Sequence, residues 1–300
     1  MTARVAAVVL GWNGREDTLA CLRALQRATY PDLSIVVVDN GSTDGGPEAV
    51  AAEFPAVRLL PLGENRGFAG GVNAGAEAAL GDGADAVLLL NNDATVEPDF
   101  LVPLVEAACA EGVGAACAQI LDSATGRIWY AGASYDPRRG HQGRHTGYGD
   151  PPLPPATAPY ATERGCGGAM LIPRAALEEV GPLDEALFAY AEDVDWSLRA
   201  RAAGLRIVVV PASVVRHRVS ASTGGAASAD SIYYALRNGL AVAERSAPLG
   251  RLATARRRAE AVAAFAAQAL RSRSPLRGLR GVAEGLRDAA RGRLGPRRRT

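Results

Sequence analysis

Short, continuously apolar runs alternate with helix-patterned segments, and this alternation restricts the fold more than any other feature of the chain. Residues 5–10 are apolar throughout and end at Gly11-Trp12-Asn13-Gly14, after which Leu19, Leu22 and Leu25 recur at helical spacing. Residues 34–38 run into Asp39-Asn40-Gly41-Ser42-Thr43-Asp44-Gly45 and a short helix over 48–54. Residues 57–60 lead through a glycine-rich turn to an Ala-rich helix ending near Leu80, and residues 86–90 are a fourth run. Runs without polar alternation are the pattern of strands covered on both faces. Their alternation with helices about every 25–30 residues implies an α/β fold with a mostly parallel sheet flanked by helices. A helix over 99–109, a strand over 113–120, a helix reaching Ala203 and a strand over 207–210 continue the rhythm.

Composition removes whole chemistries. All 33 basic residues are arginine. Without lysine the chain can build neither a Walker A phosphate loop nor a Schiff base. The turn after the first strand reads Gly-Trp-Asn-Gly rather than G-x-G-x-x-G, which disfavours a dehydrogenase while leaving a nucleotide site at the strand ends. Cys21, Cys109, Cys117 and Cys166 form no C-x-x-C pair and read as reduced packing residues. No signal-like stretch precedes the first strand, and residues 261–270 are too short to span a bilayer, so the expected location is cytoplasmic.

Three places concentrate chemistry. The fourth apolar run stops abruptly at Asn91-Asn92-Asp93, where a strand end suits a metal or phosphate ligand and equally suits a helix cap. Glu192-Asp193-Val194-Asp195 opens a helix whose apolar stripe, taken through Ala191, Val194, Leu198 and Ala202, leaves Glu192 and Asp193 off the core and turns Trp196 toward a cavity or solvent. Two such acids can simply complement the helix dipole; three beside an aromatic suggest a general base with a substrate-binding surface. His217 lies beside a strand end. His141 and His145 are four apart, but the intervening glycine argues against a helix and so against a metal pair. The segment 134–160 lacks an apolar period and reads as a lid or as disorder. The glycines of Gly165-Cys166-Gly167-Gly168 permit close backbone approach or a bulge.

Taken in order, Val36-Val37-Val38-Asp39-Asn40-Gly41-Ser42-Thr43-Asp44-Gly45, Asn65-Arg66-Gly67-Phe68-Ala69-Gly70-Gly71-Val72-Asn73, Leu90-Asn91-Asn92-Asp93, Gly181-Pro182-Leu183-Asp184-Glu185 and Glu192-Asp193-Val194-Asp195 resemble the family 2 inverting glycosyltransferases of GT-A fold, particularly the rhamnosyltransferase-like branch. That resemblance implies an enzyme moving a sugar, rhamnose by likeness, from a dTDP- or UDP-linked donor to a hydroxyl of a glycan or lipid-linked acceptor in polysaccharide or cell-wall synthesis. It implies donor contacts from Asp39, Ser42, Asn65, Arg66, Gly67, Asn73 and Asn92. Mg2+ or Mn2+ would be held by Asp93 and His217. Asp193 would be the base, and Glu192, Gly167, Gly168 and Trp196 would face the acceptor. Asn91 stands where the family usually has an acid, and Gly11-Trp12 where it usually has a polar residue. A nucleotidyltransferase and a non-catalytic nucleotide-sugar binding protein are the competing readings.

Charge divides the chain. Residues 1–244 hold 18 arginines against 29 acids, and residues 245–300 hold 15 against 3, so an acidic body of about −11 carries a tail of about +12. The reading is a catalytic domain over 1–240 and an Arg-rich helical extension over 241–300, with helices over 240–247 and 253–270 and a disordered end. Such a tail calls for an anionic partner, here a membrane surface rather than nucleic acid.

Overall fold

The computed structural model describes residues 2–137, 143, 145–218 and 228–298. Strands β1 (Val5–Gly11), β2 (Leu33–Asp39), β3 (Arg58–Pro61) and β4 (Ala86–Asn91) lie parallel in the order β3-β2-β1-β4, joined by α1 (Arg15–Leu25), α2 (Gly46–Glu53) and α3 (Gly67–Gly81). The unbroken apolar runs are buried: Val5 to Val9 and Val87 to Leu90 are closed to solvent or nearly so. Small residues let α3 press against the sheet, since a Cβ on Gly71 would lie 2.3 Å from Leu10 and one on Gly75 2.4 Å from Val8.

The second half is mixed. After β5 (Ala94–Val96) and α4 (Leu101–Ala108) come β6 (Val113–Asp122), β7 (Ile128–Tyr130), β8 (Tyr160–Thr162) and β9 (Ala169–Pro173), then α5 (Arg174–Val180), a 3-10 turn at Glu185–Leu187, α6 (Glu192–Ala202) and β10 (Arg206–His217). β9 inserts antiparallel between β4 and β6, β10 runs parallel to β6, and β5 pairs antiparallel with the end of β10. β10 outlasts the expected strand over 207–210, because a register shift between Val210 and Val214 absorbs Pro211 as a bulge.

Within 134–160 the described residues are ordered by pairing and packing. Ala133 bridges His145, and Leu153 N donates to the buried Gln119 Oε1 at 2.6 Å. Of the histidine pair, His141 lies outside the described residues. His145 packs edge-on against Trp129 and Tyr130, with Nδ1 2.6 Å from Trp129 O, and burial pulls its pKa down to about 4.

The C-terminal region is three helices, α7 (Ala229–Ser246), α8 (Arg251–Leu270) and α9 (Pro275–Ala290). A boundary at 240/241 falls inside α7, which packs two ways. Ile232, Leu236 and Leu240 join Ala261, Ala269 and Val282 in a helical core, while Val242 joins Leu187, Ala191 and Val194 beside α6. α9 occupies sequence expected to be disordered. Its glycines look like helix breakers, yet they are contact points: a Cβ on Gly281 would lie 2.5 Å from Ala229 O, and one on Gly278 2.8 Å from the Ala269 methyl. Part of the basic excess is answered internally, with Arg297 on Glu284 (2.9 Å) and Asp230 (2.7 Å) and Arg258 on Glu244 (2.8 Å).

Candidate active site

The predicted residues come from the carboxyl ends of β2, β4 and β10, from the loops before α3 and α6, and from the glycine turn that precedes β9. At the end of β2, Asp39 is buried and accepts from Ser42 N at 3.0 Å, and together with Asn13 and Thr18 it lines a cleft at the start of α1. The neighbouring Asn40, which sequence reasoning passed over, joins two loops. Its Oδ1 accepts from Arg66 N at 2.8 Å, and its Nδ2 donates to Asn65 Oδ1 at 3.1 Å and Gly67 O at 3.0 Å. Asn65 Oδ1 also accepts from Gly67 N, so Asn65 shapes the loop that carries Arg66. Gly67 has φ +76°, and a Cβ there would meet Phe188 O at 2.3 Å; only glycine fits between the loop and the turn before α6.

Two predicted donor residues have other partners. Asn73 donates to Leu183 O and Glu185 Oε1 and accepts from Leu183 N, tethering the 183–185 turn to α3. Arg66 reaches the same Glu185 at 3.2 Å. Asn92 is buried, with its amide donating to Thr18 Oγ1 at 2.9 Å. It therefore fixes the strand end against α1.

Asp93 and His217 meet because of strand register. β5 leaves the Asn92-Asp93 turn and pairs with β10 so that Ala94 faces His217, which places His217 Nε2 2.8 Å from Asp93 Oδ1. Asn91 Nδ2 lies 3.1 Å from the same ring nitrogen. Asp93 and His217 are each 7% exposed, and His217 Nδ1 has no hydrogen-bond partner. Trp129 stands edge-on to the imidazole at 5.2 Å. A carboxylate oxygen and an imidazole nitrogen converging in this way fit a divalent cation. Among the described residues no group of three His, Cys, Asp or Glu side chains forms a complete metal cage. The remaining coordination would fall to a diphosphate and water.

Gly167 and Gly168 connect this pair to the acids of α6. Gly167 N donates to Asp193 Oδ2 at 3.1 Å, and Gly168 O accepts from Asn91 N at 3.2 Å. Asp193 Oδ1 accepts from Val194 N at 2.7 Å, so both carboxylate oxygens face donors. Ser197, another residue missed in the sequence, ties the same turn to α6 by accepting from Gly165 N and donating to Asp193 O.

The helical stripe expected for α6 describes only one of its packed faces: Ala191, Val194 and Leu198 pack as expected, and Ala202 is exposed. Trp196 is fully buried and donates from its indole nitrogen to Gly181 O at 2.9 Å, and Glu192 is buried as well. α6 packs on two sides, with Trp196 and Ala200 toward the sheet and Val194 and Leu198 toward α7, and no single stripe describes such a helix. Burial first, then the neighbouring charge of Asp193, pushes the Glu192 carboxyl up to about 8, and its Oε2 has no partner. Asp195 belongs to a structural network, paired with Arg199 at 2.9 Å and Arg245 at 3.5 Å.

The turn before α6 is strained. Phe188, Tyr190 and Ala191 have φ of 65°, 68° and 71°, and none is glycine. Each such residue costs on the order of 1–2 kcal/mol.

Comparison with known proteins bears on this arrangement. The family model described as "Glycosyl transferase family 2" matches residues 7–181. An N-acetylglucosaminyl-diphospho-decaprenol L-rhamnosyltransferase of Mycobacterium tuberculosis is 34% identical over 223 residues, covering 68% of this chain and 72% of that protein. A dTDP-rhamnosyl transferase of Shigella flexneri, RfbF, is 22% identical over 219 residues, 73% of this chain and 70% of that one. Among solved structures, the mannosyltransferase PcManGT from Pyrobaculum calidifontis in complex with GDP-Man and Mn2+ superposes with a TM-score of 0.59 at 22% identity, over 97% of this chain and 76% of that one. That likeness is one of fold.

Proposed function

The chain belongs to glycosyl transferase family 2, and on that premise we propose that it transfers rhamnose from a nucleotide-diphosphate donor to a hydroxyl of a lipid-linked glycan acceptor, with inversion at the anomeric carbon. One observation carries the mechanism: the Gly167-Gly168 backbone joins Asp193 on one side to Asn91, and through it His217 and Asp93, on the other. The named activities of the two rhamnosyltransferase relatives support the choice of sugar, and the Shigella relative's name supports a dTDP-linked donor.

Asp39 and the Asn40-clamped loops hold the nucleoside, with Arg66 beside them. Asp93 and His217 would hold Mg2+ or Mn2+. Such an ion, when bound, neutralises developing charge on a diphosphate leaving group. Asp193 takes the proton of the acceptor hydroxyl as its oxygen bonds to the anomeric carbon, and the bond from that carbon to the donor oxygen breaks with its electron pair leaving on the diphosphate. Backbone N–H groups on both Asp193 oxygens fix the carboxylate's direction, which is the main requirement for such a base. Glu192, whose pKa is raised to about 8, stays largely protonated at neutral pH and supplies a hydroxyl rather than a second base. A nucleotidyltransferase would have no use for Asp193. The test is incubation with dTDP-rhamnose and a polyprenyl-diphosphate-linked N-acetylglucosamine, with the anomeric configuration of the product read by NMR. Inverted rhamnoside is expected; a retained configuration, or nucleotidyl transfer, would overturn the reading.

A lipid-linked acceptor is met at a membrane surface, and no helix among the described residues is long and apolar enough to cross a membrane. The α8–α9 turn supports contact with such a surface. Leu270 and Leu276 are 62% and 83% exposed, and Arg271, Arg273 and Arg277, also exposed, have no acidic partner among the described residues. Each arginine at an anionic surface contributes about 1 kcal/mol, so three change partitioning about 100-fold. The protein is expected to float with vesicles containing phosphatidylglycerol. A variant with Leu270 and Leu276 changed to Ser and the three arginines to Gln is expected to stay in the pellet, and equal flotation of the two would remove this surface from the proposal.

A further inference from the structure

We propose that Asn238, on α7, is a positioning residue for transfer: it holds the strained turn 187–191 that sets Asp193 against the donor loop. The inference rests on the reading of Asp193 as the base.

Asn238 is fully buried, and its Nδ2 lies 2.7 Å from Leu187 O, 2.7 Å from Ala189 O and 2.8 Å from Tyr190 O. The adjacent Arg237, also buried, donates from Nε to Asn238 Oδ1 at 2.8 Å and from Nη2 to Leu187 O at 3.2 Å. Arg237 thereby decides which end of the amide faces the carbonyls. Two N–H donors shared among three acceptors, with an oxygen left for a guanidinium, is a set only a primary amide provides; aspartate has no donor and serine has one.

The turn needs such a clamp. Left-handed φ at Phe188, Tyr190 and Ala191 persists only where the surroundings over-determine it. The same turn touches both halves of the site. Phe188 O accepts from Phe68 N at 2.6 Å, directly after Gly67 in the donor loop, while Ala191 is the N-cap of α6, two residues before Asp193. The distance from donor to base therefore passes through a segment whose conformation is imposed by a helix outside the family-matched residues 7–181. The C-terminal strap reinforces it, with Gly295 N on Ala186 O at 2.6 Å and Gly295 O accepting from Arg237 Nη1 at 2.6 Å.

The experiment compares wild type, Asn238→Ala, Asn238→Ser and Asp193→Asn for kcat at saturating donor, dissociation constant of dTDP or UDP, and amide exchange over residues 186–193. A misplacement of about 1 Å costs about 100-fold in rate, so Asn238→Ala is expected to lose about that in kcat while nucleotide binding stays within about threefold. Asn238→Ser, with one donor, should fall between, and it carries the test if the alanine variant fails to fold. Exchange should accelerate over 186–193 and not over β1 and β4. A kcat within about threefold of wild type, or nucleotide binding lost in step with kcat, would overturn the positioning role. Full activity in Asp193→Asn would overturn the base assignment instead, so the two readings fail separately.

Discussion

Asp193→Asn is expected to lower kcat about 1000-fold while leaving nucleoside diphosphate binding unchanged. The amide keeps the shape of the carboxylate, and an oxygen can still accept from Gly167 N or Val194 N, so α6 and the glycine turn keep their places. What disappears is a proton acceptor in the position from which an attacking hydroxyl must be relieved of its proton. The neighbouring acids do not substitute for it. Glu192 is held in its protonated form chiefly by burial, which the substitution leaves in place, and Asp195 is committed to Arg199 and Arg245. Single-turnover transfer, measured beside a nucleotide titration, separates chemistry from binding. Turnover equal to wild type would remove Asp193 from the mechanism.

The parallel half of the fold was legible because its strands are apolar throughout and its turns are rich in glycine, asparagine and aspartate; β1 to β4 fall within a residue or two of the runs that announced them. Antiparallel β9 carries the same apolar pattern as its parallel neighbours, so direction could not be read from it. Asp93 was visible as a carboxylate closing an apolar run. The register that sets Ala94 opposite His217 is a contact between distant segments, and spacing alone does not encode it. Trp196 and Glu192 were misplaced because a helix packed on two faces has no single stripe. Asn238 left little signal in the sequence, because it stands two residues from Leu236 and from Leu240 and so lies across α7 from that apolar row, on the side that Val242 shares, where a lone amide reads as surface. α9 was hidden by its glycines, which in composition resemble a linker and in space are where helices touch.

Asp93→Ala is expected to abolish the dependence on divalent cation and to lower transfer about 1000-fold, the loss of several kcal/mol of leaving-group stabilisation. Where two acids are used the loss of one leaves another; in this chain Asn91 occupies that place, and among the described residues the remaining proposed ligand in contact is His217. A lone imidazole is a poor holder of a hard cation, so the site has no reserve. The fold should survive, because backbone pairing holds the turn: β5 stays registered on β10, and Arg218 N donates to the main-chain oxygen of residue 93. The measurement is the thermal shift given by dTDP-rhamnose and by UDP-sugars in Mn2+ and in EDTA. Wild type should be stabilised by its donor in Mn2+ and lose most of that stabilisation in EDTA, whereas the variant should respond identically in both. If the variant keeps a Mn2+-dependent shift, Asn91-Asn92-Asp93 is a capped strand end, and the charge of the leaving group must be met by arginines, with Arg66 the first to be tested.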